Sequence, residues 1–132
     1  MQTVSVDVAR DPETCWRAFV DVAQLTRWVP GLKRAEILTR AKGLPEEVHF
    51  EFAQLAYTLV YSYDKAEHVV RWQPKLGKRE GVSGFVRFDA IENGWSRLTY
   101  GLEQGDARSP AERELGDLQR LAQAFSAHVQ KG

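Results

Sequence analysis

The side chains that could do acid, base, nucleophilic or metal chemistry are scattered along this 132-residue chain. His49, His68 and His128 lie on three different segments and show no His-x3-His or similar ligand spacing. His128 falls near the end of a helical stretch, where a cation is favourable, and all three read as surface histidines. Cys15 is the single cysteine, so no dithiol, cysteine zinc site or intrachain disulfide can form. It lies between Thr14 and Trp16 with no adjacent cation to lower its pKa, and reads as buried and inert. No Gly-x-Gly-x-x-Gly or phosphate loop is present, and no cofactor motif is found. His49 and Glu51 have the types and spacing of an acid/base pair on one strand face. They alternate with Phe50, however, and so belong on the side opposite the apolar residues. Arg71, Arg87, Asp89, Arg97 and Glu103 fall on the same polar side. It reads as a solvated, ion-paired surface whose pairs contribute about 0–1 kcal/mol each.

The apolar side keeps a different chemistry. Its polar groups are the hydroxyls of Tyr57, Tyr61, Tyr63 and Tyr100, with indole N–H donors from Trp28 and Trp72. Buried Tyr and Trp usually find partners for these groups. The partners can be other residues, water or a ligand. An apolar cavity with a few convergent hydroxyls suits a polyketide, quinone or lipid-like molecule. Equally, the rings can interdigitate and fill the space themselves.

The elements that position these groups follow from period-two alternation between Val48 and Leu102. Val48, Phe50 and Phe52 alternate with His49 and Glu51; Tyr57, Leu59, Tyr61 and Tyr63 with Thr58, Val60 and Ser62. Val70 and Trp72 flank Arg71, Val86 and Phe88 flank Arg87, and Leu98, Tyr100 and Leu102 alternate with Thr99 and Gly101. This is an antiparallel sheet with one buried face. A two-residue turn at Lys65-Ala66 would pair Leu59 with Trp72 and Tyr61 with Val70. In the last hairpin a two-residue Asn93-Gly94 turn would mix charges into the apolar face. A three-residue loop, Glu92-Asn93-Gly94, pairs Phe88 with Leu98 and Val86 with Tyr100, so the pattern selects it. Upstream, Val4, Val6 and Val8 mark a first strand. Asp11-Pro12-Glu13 starts a helix carrying Cys15, Trp16, Phe19 and Val20 on one face. Asp21 starts a second short helix with Leu25, Trp28 and Val29, which Pro30-Gly31 stops. Arg34 to Thr39 is the next strand, turning at Lys42-Gly43. Ser109-Pro110-Ala111-Glu112 opens a long final helix running to about Val129, with Leu115, Leu118, Leu121, Ala122, Phe125 and Val129 as its stripe. Gly116 is a weak point in it, about 1 kcal/mol worse than Ala.

Bulk properties bound the function. Eighteen basic and eighteen acidic residues give a formal net charge of zero, so no global field recruits nucleic acid or an anionic membrane. No apolar run reaches membrane-spanning length. The chain fits one domain, 1–132, and a cytoplasmic location suits its lone cysteine.

The order of strand, two short helices, antiparallel meander and long helix resembles the α+β helix-grip fold of the START/Bet v 1-like (SRPBCC) superfamily. The nearest likeness is to its polyketide cyclase/dehydrase and coenzyme-Q-binding-protein branch. Three stretches carry it: Val8-Ala9-Arg10-Asp11-Pro12-Glu13 followed by Trp16 and Phe19; Leu25-Thr26-Arg27-Trp28-Val29-Pro30-Gly31; and Gly94-Trp95-Ser96-Arg97-Leu98-Thr99-Tyr100. The resemblance spans the whole chain and is specific for fold rather than function, which must be argued from the site. It implies a cavity between the curved sheet and the final helix. The expected lining is Trp28, Phe50, Tyr57, Leu59, Tyr61, Trp72, Phe88, Leu98, Tyr100, Leu118, Ala122 and Phe125. The expected partner is a small hydrophobic molecule, aromatic, polyketide-like or isoprenoid. Without an inward His, Asp or Glu, a carrier is favoured over an enzyme. A polyketide cyclase or dehydratase, and a protein-binding adaptor or co-chaperone, are the alternatives.

Overall fold

The computed structural model describes residues 2–53, 56–75, 83–103 and 118–131. Strand β1 (Gln2–Val8) is followed by helix α1 (Pro12–Val20), a single 3-10 turn (Val22–Gln24) and helix α2 (Leu25–Trp28). Then come β2 (Leu32–Ala41), β3 (Leu44–Phe52), β4 (Ala56–Asp64), β5 (Val69–Pro74), β6 (Gly84–Ala90) and β7 (Ser96–Leu102). Helix α3 (Leu118–Lys131) closes the described chain. The expected helix start at Ser109, with Leu115 and Gly116, lies outside the described residues, as does Gly77.

The seven strands form one antiparallel sheet in the order β1-β7-β6-β5-β4-β3-β2. The meander thus runs from one edge across the sheet, and β1 adds to its far side. With α1 and α2 after β1 and α3 on the concave face, this is the helix-grip architecture. Bulky residues at alternate positions are buried, among them Val48, Phe50, Phe52, Val70, Trp72, Val86, Phe88, Leu98 and Tyr100. Their neighbours Arg71, Arg87 and Arg97 are exposed on the other face. There Arg87 Nε lies 3.0 Å from Asp89, and Arg97 Nε 3.1 Å from Asp7.

The last hairpin has the expected register, with Phe88 opposite Leu98 and Val86 opposite Tyr100. Its loop holds both Asn93 (φ 62°) and Gly94 (φ 75°) left-handed, and Asn tolerates that region better than most residues. The β4–β5 connection differs from expectation. Tyr61 faces Trp72 and Tyr63 faces Val70, so four residues, Lys65 to His68, form the turn. The shift is two positions, which leaves every side chain on its expected face. His68 closes the longer turn in the left-handed region. It takes φ 54°, its carbonyl accepts from Phe88 N at 3.1 Å, and its Nε2 lies 3.1 Å from Glu13 of α1.

Helix α1 starts as read, with Asp11 as cap and Pro12 at its first position. The Asp11 carboxylate accepts from the Thr14 hydroxyl rather than from a backbone N–H. Cys15, Trp16 and Phe19 are buried beneath the helix. Helix α3 lies against β1 and β7 and buries Leu118, Leu121, Ala122, Phe125 and Val129. Its last turn is held by Arg10, whose guanidinium donates to the carbonyls of Gln130 (2.6 Å) and Ala9 (2.7 Å). The Gln130 side chain returns an acceptor to Ala9 N at 3.0 Å. A cation on the last carbonyls of a helix is favourable on dipole grounds as well.

Candidate functional site

The interior site is assembled at one end of the concave face, where the β3–β4 hairpin, the start of β6 and the end of β7 meet. Phe50 and Phe52 pack on Tyr57 with ring centroids 5.6 and 5.7 Å apart. Tyr61 lies opposite Trp72 in the ladder, their rings 5.9 Å apart. Trp72 meets Tyr100 edge-on at 5.6 Å and stacks on Phe19 of α1 at 5.7 Å. Gly84 seats the Trp72 indole. A Cβ there would fall 2.5 Å from the Gly101 carbonyl oxygen and 2.8 Å from the Trp72 ring, so only glycine lets β6 pass this close. From above, Trp28 of α2 packs edge-on against Phe125 at 5.0 Å.

These rings line a residual hollow of about 40 Å³. That admits roughly three water molecules, against the roughly 300–1,000 Å³ of ordinary small-molecule pockets. The aromatic side chains therefore fill most of the concavity. Seven expected site residues line what is left: Trp28, Phe50, Tyr57, Leu59, Tyr61, Trp72 and Tyr100. The other five, Phe88, Leu98, Leu118, Ala122 and Phe125, do not touch it and belong to the solid core. Phe88 and Leu98 pair beside the Glu92–Gly94 turn, at the opposite end of β6 and β7 from Gly84 and Leu102. Six further residues complete the wall: Phe19, Leu25, Val29, Phe52, Leu102 and Leu121. All six stand on apolar faces in the sequence. What alternation lacks is a coordinate along the strand, so it names the face and not the end.

The cavity wall carries no carboxylate, imidazole or amine among the described residues. His49 and Glu51 lie on the outer face, where His49 Nδ1 is 3.2 Å from the Thr58 hydroxyl. Burial pushes the Tyr57, Tyr61 and Tyr100 hydroxyls above their ordinary pKa of 10, and for Tyr61 the proximity of Tyr100, Tyr63 and Tyr57 adds to it. All three are neutral donors at physiological pH, not bases. Tyr63 is raised mainly by burial too, and its hydroxyl donates to the Pro45 carbonyl at 2.6 Å. The Trp28 indole N–H is buried with no partner among the described residues. Cys15 is buried, and that burial raises its thiol pKa. No group of three His, Cys, Asp or Glu among the described residues could hold a metal ion. Among the described residues no helix is long and apolar enough to cross a membrane.

A sheet gripping a terminal helix over an aromatic hollow is matched by a family model. The polyketide cyclase/dehydrase and lipid transport family aligns with residues 2–131. The chain belongs to this family. No curated protein matches it by sequence. Among solved structures, a START superfamily protein from Mycobacterium smegmatis is 18% identical with a TM-score of 0.76, over 98% of this chain and 97% of that one. The Zhui aromatase/cyclase from Streptomyces sp. R1128 is 17% identical with a TM-score of 0.70, over 98% and 93%. A truncated norcoclaurine synthase from Thalictrum flavum is 15% identical with a TM-score of 0.70, over 99% and 93%. At these identities the likeness establishes the fold alone; it is the family match over residues 2–131, taken with that fold, that supports the START/Bet v 1-like superfamily.

Proposed function

We propose that this chain, acting as one domain, binds a small hydrophobic ring-bearing molecule between the concave sheet face and α3 and leaves it chemically unchanged. The observation carrying this reading is the make-up of the interior wall. It is aromatic and aliphatic, with neutral phenols and an indole N–H unpaired among the described residues as polar groups. Such a wall takes up apolar area, at about 25 cal/mol per Å² buried. It offers donors to a carbonyl or quinone oxygen and no cation to a carboxylate. Trp28, Phe50, Tyr57, Leu59, Tyr61, Trp72 and Tyr100 form the contact set. Phe88, Leu98, Leu118, Ala122 and Phe125 are the packed wall behind it. General acid/base catalysis needs a titratable group within about 2.6–3.2 Å of the moving proton, or one water away. The wall supplies only phenols held protonated.

The test is incubation with a panel of quinones and linear polyketide mimics, followed by binding and product analysis. Saturable binding with the ligand recovered unchanged is the expected result. Turnover that disappears in Tyr61→Phe or Tyr100→Phe would replace the carrier by a cyclase using phenol donors; aromatase/cyclase is the activity in the name of the Streptomyces structure. No binding across the panel would favour a protein-binding adaptor.

A further inference from the structure

A second, larger concavity lies on the outside of the molecule, between α1, the short α2 segment and the last turns of α3. Its volume is about 640 Å³. Its lining is unlike that of the interior. Ala18, Ala124 and Ala127 leave room on both walls, and Arg27, His128 and Lys131 stand in it with no Asp or Glu. The acids at the start of α1 are engaged elsewhere: Asp11 by Thr14, and Glu13 by Arg17 and His68. Helix α3 from Leu118 to Lys131 carries Arg120, His128 and Lys131 and no carboxylate, although the whole chain is neutral. The groove is therefore a local cationic site on an uncharged protein.

One residue lines both this groove and the interior cavity among the described residues, and it is Trp28. Its ring is the partition between them. It is 5% exposed and held by an edge contact to Phe125 and a tilted one to Phe19, and its Nε1 is buried without a partner among the described residues. A polar hydrogen left unpaired in a low-dielectric interior favours any rearrangement that offers it an acceptor. Trp28 also sits on a four-residue helix followed by Pro30 and Gly31.

We infer that the outer groove is the mouth of the interior site, that Trp28 is its door, and that the cationic rim takes the anionic end of an amphipathic ligand whose apolar rings pass inside. This rests on the ligand-binding reading above and adds to it a route and a charge. Moving the indole joins the small cavity to the large groove, and a ligand oxygen at the threshold gives Nε1 its missing acceptor. Arg27 and Lys131 then set the preference for an acidic head.

The test uses two fluorescent ring probes that differ in charge, 1-anilinonaphthalene-8-sulfonate and uncharged N-phenyl-1-naphthylamine. Both are titrated, and their association followed by stopped flow, at low ionic strength. The variants are Arg27→Glu/Lys131→Glu and Ala127→Trp, all at exposed positions, so folding is checked simply by circular dichroism. The charge reversal should weaken the sulfonate at least tenfold and change the neutral probe less than twofold. Ala127→Trp, which fills the groove, should slow association of both probes at least tenfold. Equal effects of charge reversal on the two probes, or unchanged association rates in Ala127→Trp, would overturn the inference. Retained binding of the neutral probe in those cases leaves the interior site standing. Failure of both probes to bind the parent protein would sink the inference, and the interior-site reading with it.

Discussion

Gly84 shows how one residue can be required by a site it does not enter. A methyl group there would lie 2.5 Å from a backbone oxygen of the neighbouring strand, which cannot swing aside as a flexible side chain does. Gly84→Ala should destabilise by about 1–3 kcal/mol, the usual range for overpacking, and perturb the near-UV signal of Trp72. Urea melts with near-UV circular dichroism check both. Phe125, fully buried and touching Phe88, Phe19 and Trp28, stands outside the cavity. Its loss opens a hole that nothing already fills, so Phe125→Ala should cost about 3–5 kcal/mol in the same assay. Glu13 behaves differently because it is at the surface. The hydrogen bond from His68, then that from Arg17, holds its pKa below the ordinary 4.5. A lowered carboxylate pKa means the contribution to stability is present above pH 4.5 and is lost as the pH falls through the folded-state value. The melting-temperature gap between the parent and Glu13→Gln should therefore be widest near neutral pH and close towards pH 3.

At the scale of elements, α3 is a lid fastened at its C-terminal end. Arg10 lies just after β1 and reaches the Gln130 carbonyl, so the first connection of the chain clasps the last turn of the last helix. Charge-assisted hydrogen bonds of this kind contribute about 1.5–3 kcal/mol when removed. Arg10→Ala should lose an amount in that range. More diagnostically, amide hydrogen exchange should quicken in the last turn of α3 while β4 and β5 stay protected. Uniform loss of protection across the sheet would show that the clasp is not local. The β6–β7 loop offers a parallel case. Parity excludes a two-residue turn there, and Asn93 and Gly94 supply the two left-handed conformations that close the three-residue loop.

At the scale of the whole molecule, the concave face and its helix enclose far less free volume than a drug-sized ligand needs. Binding at the interior site must therefore part rings that already touch, and the native state without ligand is the better-packed one. A ligand that binds only the folded form stabilises it by RT ln(1 + [L]/Kd), about 2.7 kcal/mol at a hundredfold excess over Kd. For a domain of this size a true ligand should raise the melting temperature by several degrees, and scanning the quinone panel by thermal shift checks it. Tyr61→Phe and Tyr100→Phe should fold as the parent does and show smaller shifts, because they keep the ring and remove the donor.

Alternation from Val48 to Leu102 determined the face of the bulky strand residues, the composition of the buried face, the outward placement of His49 and Glu51, and the exclusion of a two-residue turn at Asn93-Gly94. These follow from the period of the extended backbone, a local property that each stretch carries by itself. The β4–β5 turn marks the boundary of that reasoning. A register two residues from the expected one preserves every face, so parity could not choose between them. In the folded chain the four-residue turn brings His68 against Glu13, fifty-five positions away in sequence. Tertiary structure alone also decided which end of the hollow stays open, how little of it remains, and that Trp28 stands between it and the outer groove. Free volume is the small difference between the space a curved sheet encloses and the side chains placed in it, and that difference exists only once all the elements are docked.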